Sequence, residues 1–156
     1  MNQKNCAETV DRMQKGVALG MLICGLTYLA ILAEDLTPKG TLNEVLDLII
    51  MVGVVITMSV TLYAIWPALK QKLSGKLIAN SEPEGFVSGA MLSSFKNGWI
   101  AITFSISILL GLSSQLELLD LDIRFYFTSL FAIAVLSVSI SFFCLTRDDG
   151  LEELEE

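Results

Sequence analysis

Chemistry requires nucleophiles, bases or metal ligands that converge, and this chain offers few. It has no histidine, so the commonest general base and a common ligand of zinc and haem iron are missing. The cysteines, Cys6, Cys24 and Cys144, show no metal-ligand spacing. Cys24 and Cys144 lie inside apolar runs, where a thiol behaves as a small apolar side chain. There is no phosphate-binding glycine loop, dinucleotide fingerprint or nucleophile elbow. The sequence therefore predicts no enzymatic activity, no metal and no cofactor.

The remaining candidates are carboxylates. Glu34, Asp35, Glu44, Asp47, Glu117, Asp120 and Asp122 fall in two short connecting stretches, together with only Lys39 and Arg124. Seven acids and two bases leave a net charge of −5 on a small surface, which would concentrate cations near it. Glu44, Asp47, Glu34, Asp35, Glu117 and Asp120 thus form a possible cation site or outer vestibule. Asp47 comes nearest to an apolar run, about one turn inside the second predicted helix. Local causes compete with this reading. Glu44 and Asp47 fall in the first turns of that helix, where the dipole favours carboxylates. Asp122 is placed to cap the last helix.

The elements that must position these groups are four apolar runs: residues 17–33, 45–69, 98–116 and 125–146. The second carries no charge from Leu48 on, and the others carry none at all. At 1.5 Å per residue, about 20 apolar residues cross a hydrocarbon core of about 30 Å. Only 17% of the chain is charged, against about a quarter in an ordinary soluble domain. In lipid the backbone must satisfy itself, so these runs are expected to be helices despite their Val, Ile and Thr content. Alternation in 137–141 and 103–107 suggests barrel strands, but it sits inside runs of bilayer length. The first run is longer than the apolar core of a cleaved signal peptide. The fold expected is all-α: an integral membrane four-helix bundle with four transmembrane helices. An acidic tail, 147–156, is expected to be disordered.

Charge also sets the expected orientation. Lys4, Arg12, Lys15, Lys70, Lys72, Lys76, Lys96 and Arg147 fall on one side of a four-span chain. Lys39 and Arg124 fall on the other. The positive-inside rule then places both termini and the long middle connection in the cytoplasm. Trp66 and Trp99 are expected at that same face, since tryptophan favours headgroup depth. The turn of the middle connection is expected at Ser81–Gly85, with Phe86 to Phe95 leading into the third helix along the interface. The location expected is a multi-pass position in a membrane of the bacterial inner-membrane type. A net charge of −7 excludes a nucleic-acid partner, which would need clustered cations.

Small residues at helical spacing mark faces where helices can approach closely. The first run offers Gly16, Gly20 and Cys24, the second Gly53, Thr57 and Thr61. The third offers Thr103, Ser107 and Gly111, and the fourth Ser137, Ser141 and Cys144. Hydroxyls on the last three runs could line a polar path or bond back to their own helices. Two functions follow. The first is a non-catalytic scaffold or accessory subunit that assembles with itself or another membrane protein through these faces. The alternative is a small oligomeric cation channel or transporter with an acidic outer vestibule.

Overall fold

The computed structural model describes residues 3–38, 40–73, 86–116 and 121–152. The chain is all-helical there. Helix α1 covers Gln3–Leu36, α2 Thr41–Leu73, α3 Phe86–Gly111, α4 Ser113–Leu116 and α5 Ile123–Glu152. Three of these, α1, α2 and α5, contain stretches long and apolar enough to cross a membrane. Helix α3 is not among them, because its first half carries Ser88, Ser93, Ser94, Lys96 and Asn97.

The boundaries follow from local chemistry. Asp122 caps α5, its Oδ1 accepting from the Arg124 amide at 3.1 Å, which satisfies one of the donors a helix start leaves over. The chain turns between α1 and α2 at Pro38 and Gly40, and the Asn43 amide donates to the Gly40 carbonyl at 3.0 Å. Helix α2 starts at Thr41 with Glu44 in its first turn. Two boundaries differ from the sequence expectation. The third run does not continue as one helix to Leu116: α3 starts at Phe86, stops at Gly111, and gives way to the single turn α4. Helix α5 also runs on to Glu152, so the tail begins as helix. The expected turn at Ser81–Gly85 lies outside the described residues.

Packing is antiparallel throughout the main seams. Along α1 and α2, Gly16 meets Ala64, Gly20 meets Thr61 and Thr27 meets Gly53. Along α1 and α5, Gly25 meets Leu136, and the Tyr28 and Phe131 rings tilt together with centroids 4.8 Å apart. Along α3 and α5, Gly98 lies against Val138, and the Asn97 amide donates to Ser141 Oγ at 2.6 Å. Near its start α3 also reaches α1, where Gln14 Nε2 donates to Ser88 Oγ at 2.8 Å. These registers bring the starts of α1 and α3 and the ends of α2 and α5 to one end of the molecule.

The core is therefore uneven. Ala18, Val87, Ala90, Met91 and Phe142 are buried together where α1, α3 and α5 meet, backed by Val17, Phe143 and Leu145. Among the described residues α2 packs on α1 alone. Its outward side chains, Met51, Val55, Met58 and Leu62 among them, are exposed. In water that would be an aggregation hazard; in a bilayer it is the expected lipid-facing surface.

Candidate functional site

The glycines of the α1–α2 seam explain how two helices come into backbone contact. A methyl group on Gly16 would stand 2.5 Å from the Ala64 Cβ, and one on Gly20 2.5 Å from Thr61 Oγ1. A methyl on Gly53 would run into the Thr27 hydroxyl. The faces presented by Gly16, Gly20, Gly53 and Thr61 are thus turned toward one another inside a single chain. Thr57 Oγ1 is buried with no hydrogen-bond partner. Cys24 is half-buried. Gly111 is different, because among the described residues a methyl there would meet nothing within 4 Å. It ends α3 on the surface. Ser141 joins α3 to α5 through Asn97, and Ser137 is half-buried on α5.

Several hydroxyls of α2 and α3 turn back on their own helices. Ser59 Oγ donates to the Val55 carbonyl at 2.8 Å. Thr103 bonds to Trp99, Ser105 to Ala101 and Ser107 to Thr103, each four residues back. Such bonds satisfy the hydroxyl within the helix. On α5, Ser139 is fully buried and donates across the seam to the Ala18 carbonyl at 2.8 Å.

The carboxylates gather at one end. Continuing the α1–α2 register sets Glu34 and Asp35 level with Glu44 and Asp47, and the start of α5 brings Asp122 and Arg124 to the same end. Asp35, Glu44 and Asp47 are exposed and Glu34 is half-buried. Glu117 and Asp120 lie outside the described residues. Among the described residues, no three groups of metal-binding type come together.

The opposite end holds a cleft of about 660 Å³. From α1 it takes Arg12, Lys15 and Gly16, and from α2 it takes Tyr63, Ala64 and Pro67. Phe143 of α5 adds an aromatic edge. Arg12 and Lys15 entered the sequence argument only as markers of orientation. Their meeting with Tyr63 depends on helix register, which spacing along the chain does not encode.

A third feature is the outer side of α3. Lys96, Trp99, Thr103, Ser107 and Gly111 recur at three- and four-residue steps and are all exposed. The bond from Asn97 to Ser141 fixes their depth. Ser141 lies five residues before the end of the apolar part of α5, so Asn97 stands roughly 7 Å inside it. Trp66 and Trp99 occupy the same end of the molecule, with Trp99 about 8 Å deeper by the seam registers. Gln14 and Asn97 form interhelical bonds that the sequence did not single out. Their one visible signal is a polar amide beside an apolar run. Comparison of the chain with protein-family models, curated proteins and solved structures finds no match.

Proposed function

We propose that this protein is a non-catalytic membrane subunit that assembles with a partner, itself or another membrane protein, along the outer side of α3. The observation that carries the reading is that α3 holds a cation, Lys96, in mid-helix on an exposed side. Helix α3 presents Lys96, Thr103 and Ser107 on an exposed side, with Lys96 beside a depth-marking Asn97 that is bonded into α5. A cation facing lipid is costly. A neighbouring helix would remove that cost, and the small side chains allow its close approach. The glycine faces of α1 and α2 are already used within the chain, which leaves α3 as the assembly edge.

In this reading α3 crosses the bilayer beside α5, giving four crossings with both termini and the middle connection in the cytoplasm. Eight bases on that side against two on the other support the orientation. The membrane proposed is the cytoplasmic one. The channel reading draws mainly on the acidic end, since Ser59, Thr103, Ser105 and Ser107 bond back to their own helices.

The test is photo-crosslinking in the native membrane from residue 107 on α3, with residue 58 on α2 as the reference, followed by mass measurement in gentle detergent. Protein adducts from position 107 and only lipid adducts from position 58 are expected. A stable lone monomer with lipid adducts at both positions would refute the assembly reading.

A further inference from the structure

The cleft at the basic end has a chemistry that assembly along α3 leaves unused. Its inner wall is apolar: Leu19 on α1 and Val60 and Ala64 on α2. Its outer wall carries Arg12 and Lys15, both exposed, and among the described residues no carboxylate lines it. Arg12 already makes an interaction within the chain, but a guanidinium has five N–H donors to distribute. Lys15 adds a rotatable ammonium on a long stem that reaches outward along an apolar wall.

Depth agrees with this split. Val17 opens the uncharged stretch of α1, so Arg12 and Lys15 stand where that stretch meets water. Tyr63, at 80% exposure, and Trp66, at 66%, occupy the matching turns of α2. Amphipathic aromatics of this kind favour headgroup depth. Pro67 adds a further polar feature. It lies inside α2 and has no N–H to give to the Tyr63 carbonyl, one turn back. That carbonyl lacks its helical donor, and its residue, Tyr63, lines the cleft.

An occupant must therefore bring a negative head to Arg12 and Lys15, an apolar body to Leu19, Val60 and Ala64, and a size suited to about 660 Å³, which is within the range of small-molecule sites. We infer that the cleft between α1 and α2 binds the headgroup and upper acyl chain of an anionic phospholipid. The phosphate sits between Arg12 and Lys15. A hydroxyl-bearing headgroup can in addition donate to the Tyr63 carbonyl. The inference needs the membrane setting but does not depend on assembly along α3.

The purified full chain in detergent is titrated with phosphatidylglycerol or phosphatidylcholine, and native mass spectrometry reads the first retained lipid. One phosphatidylglycerol should be retained over phosphatidylcholine by roughly tenfold or more, since each basic group near an anionic headgroup contributes about a fivefold factor. The R12Q/K15Q variant should lose the preference. The K70Q/R147Q variant removes two exposed cations at the same end but outside the cleft lining, and it should keep it. Val60→Trp fills the cleft with every charge in place and should also abolish retention. Added inorganic phosphate should not displace the lipid, because it has no acyl chain. Equal loss in both double variants would mean general surface charge and would overturn the site. So would unchanged retention in Val60→Trp or displacement by phosphate.

Discussion

Ser139 and Ser107 are the same residue type in the same kind of helix, yet they act differently. Ser139 is fully buried and donates to the Ala18 carbonyl of another helix at 2.8 Å. Ser107 is exposed and donates to Thr103 of its own helix at 2.9 Å. Removing the Ser139 hydroxyl breaks a bond between helices. Removing that of Ser107 only returns one carbonyl to its ordinary helical bond. Ser139→Ala should therefore cost roughly 0.6–1.7 kcal/mol, the range for interhelical bonds in membranes, and Ser107→Ala close to nothing. Unfolding by sodium dodecyl sulfate in mixed micelles measures both. Equal effects would show that the bond to Ala18 contributes nothing. The glycines divide in the same way. Gly20→Leu must push Thr61 aside, because even a methyl would stand 2.5 Å from its hydroxyl. Overpacking of this kind costs about 1–3 kcal/mol. Gly111→Leu meets open space and should leave the same unfolding curve within about 0.5 kcal/mol. Comparable losses at both positions would contradict the seam.

At the scale of elements, the unequal attachment of the helices has a consequence for stability. Helices α1, α3 and α5 share the buried cluster around Phe142, while α2 is held by α1 alone among the described residues. Regions with fewer buried contacts open first. The tryptophans report this directly, since Trp66 lies on α2 and Trp99 on α3. In Trp99→Phe the remaining emission follows α2, and in Trp66→Phe it follows α3. The α2 signal should change at lower sodium dodecyl sulfate than the α3 signal; coincident transitions would show that α2 is as firmly bound as the rest. The long apolar helices were legible in the sequence because bilayer thickness fixes how long an uncharged run must be. The glycine stripe of the first run was legible because four-residue spacing places Gly16 and Gly20 on one face. The end of α3 at Gly111 was not. Its start at Phe86 agrees with a lead-in from Phe86 to the apolar run at Gly98, since polar residues such as Ser94 can bond within a helix, here to the Ala90 carbonyl at 2.7 Å. Nor was the cleft legible, because Arg12 and Tyr63 are brought together only by the register in which Gly16 meets Ala64.

For the molecule as a whole, the question that spacing leaves open is how many helices cross. The registers make α1 antiparallel to both α2 and α5, so the ends of α2 and α5 share one end of the molecule with the start of α1. If the bilayer lies across these helices as their apolar stretches require, position 147 must be on the same side as position 70, and position 35 on the other. That arrangement returns the chain through the membrane between α2 and α5, and α3 is the helix available to do it. A three-crossing chain in which α3 stays at the surface would instead put position 147 with position 35. Single cysteines at Asp35, Lys70 and Arg147, in a chain whose own Cys6, Cys24 and Cys144 are replaced, distinguish the two when treated with a membrane-impermeant maleimide. All three positions are exposed, so labelling reports side rather than burial. Asp35→Cys should label in intact cells, and Lys70→Cys and Arg147→Cys only after permeabilisation. Labelling of Arg147→Cys together with Asp35→Cys would rule out the crossing by α3 and the assembly edge built on it, while the α1–α2 cleft would keep its place at the basic end.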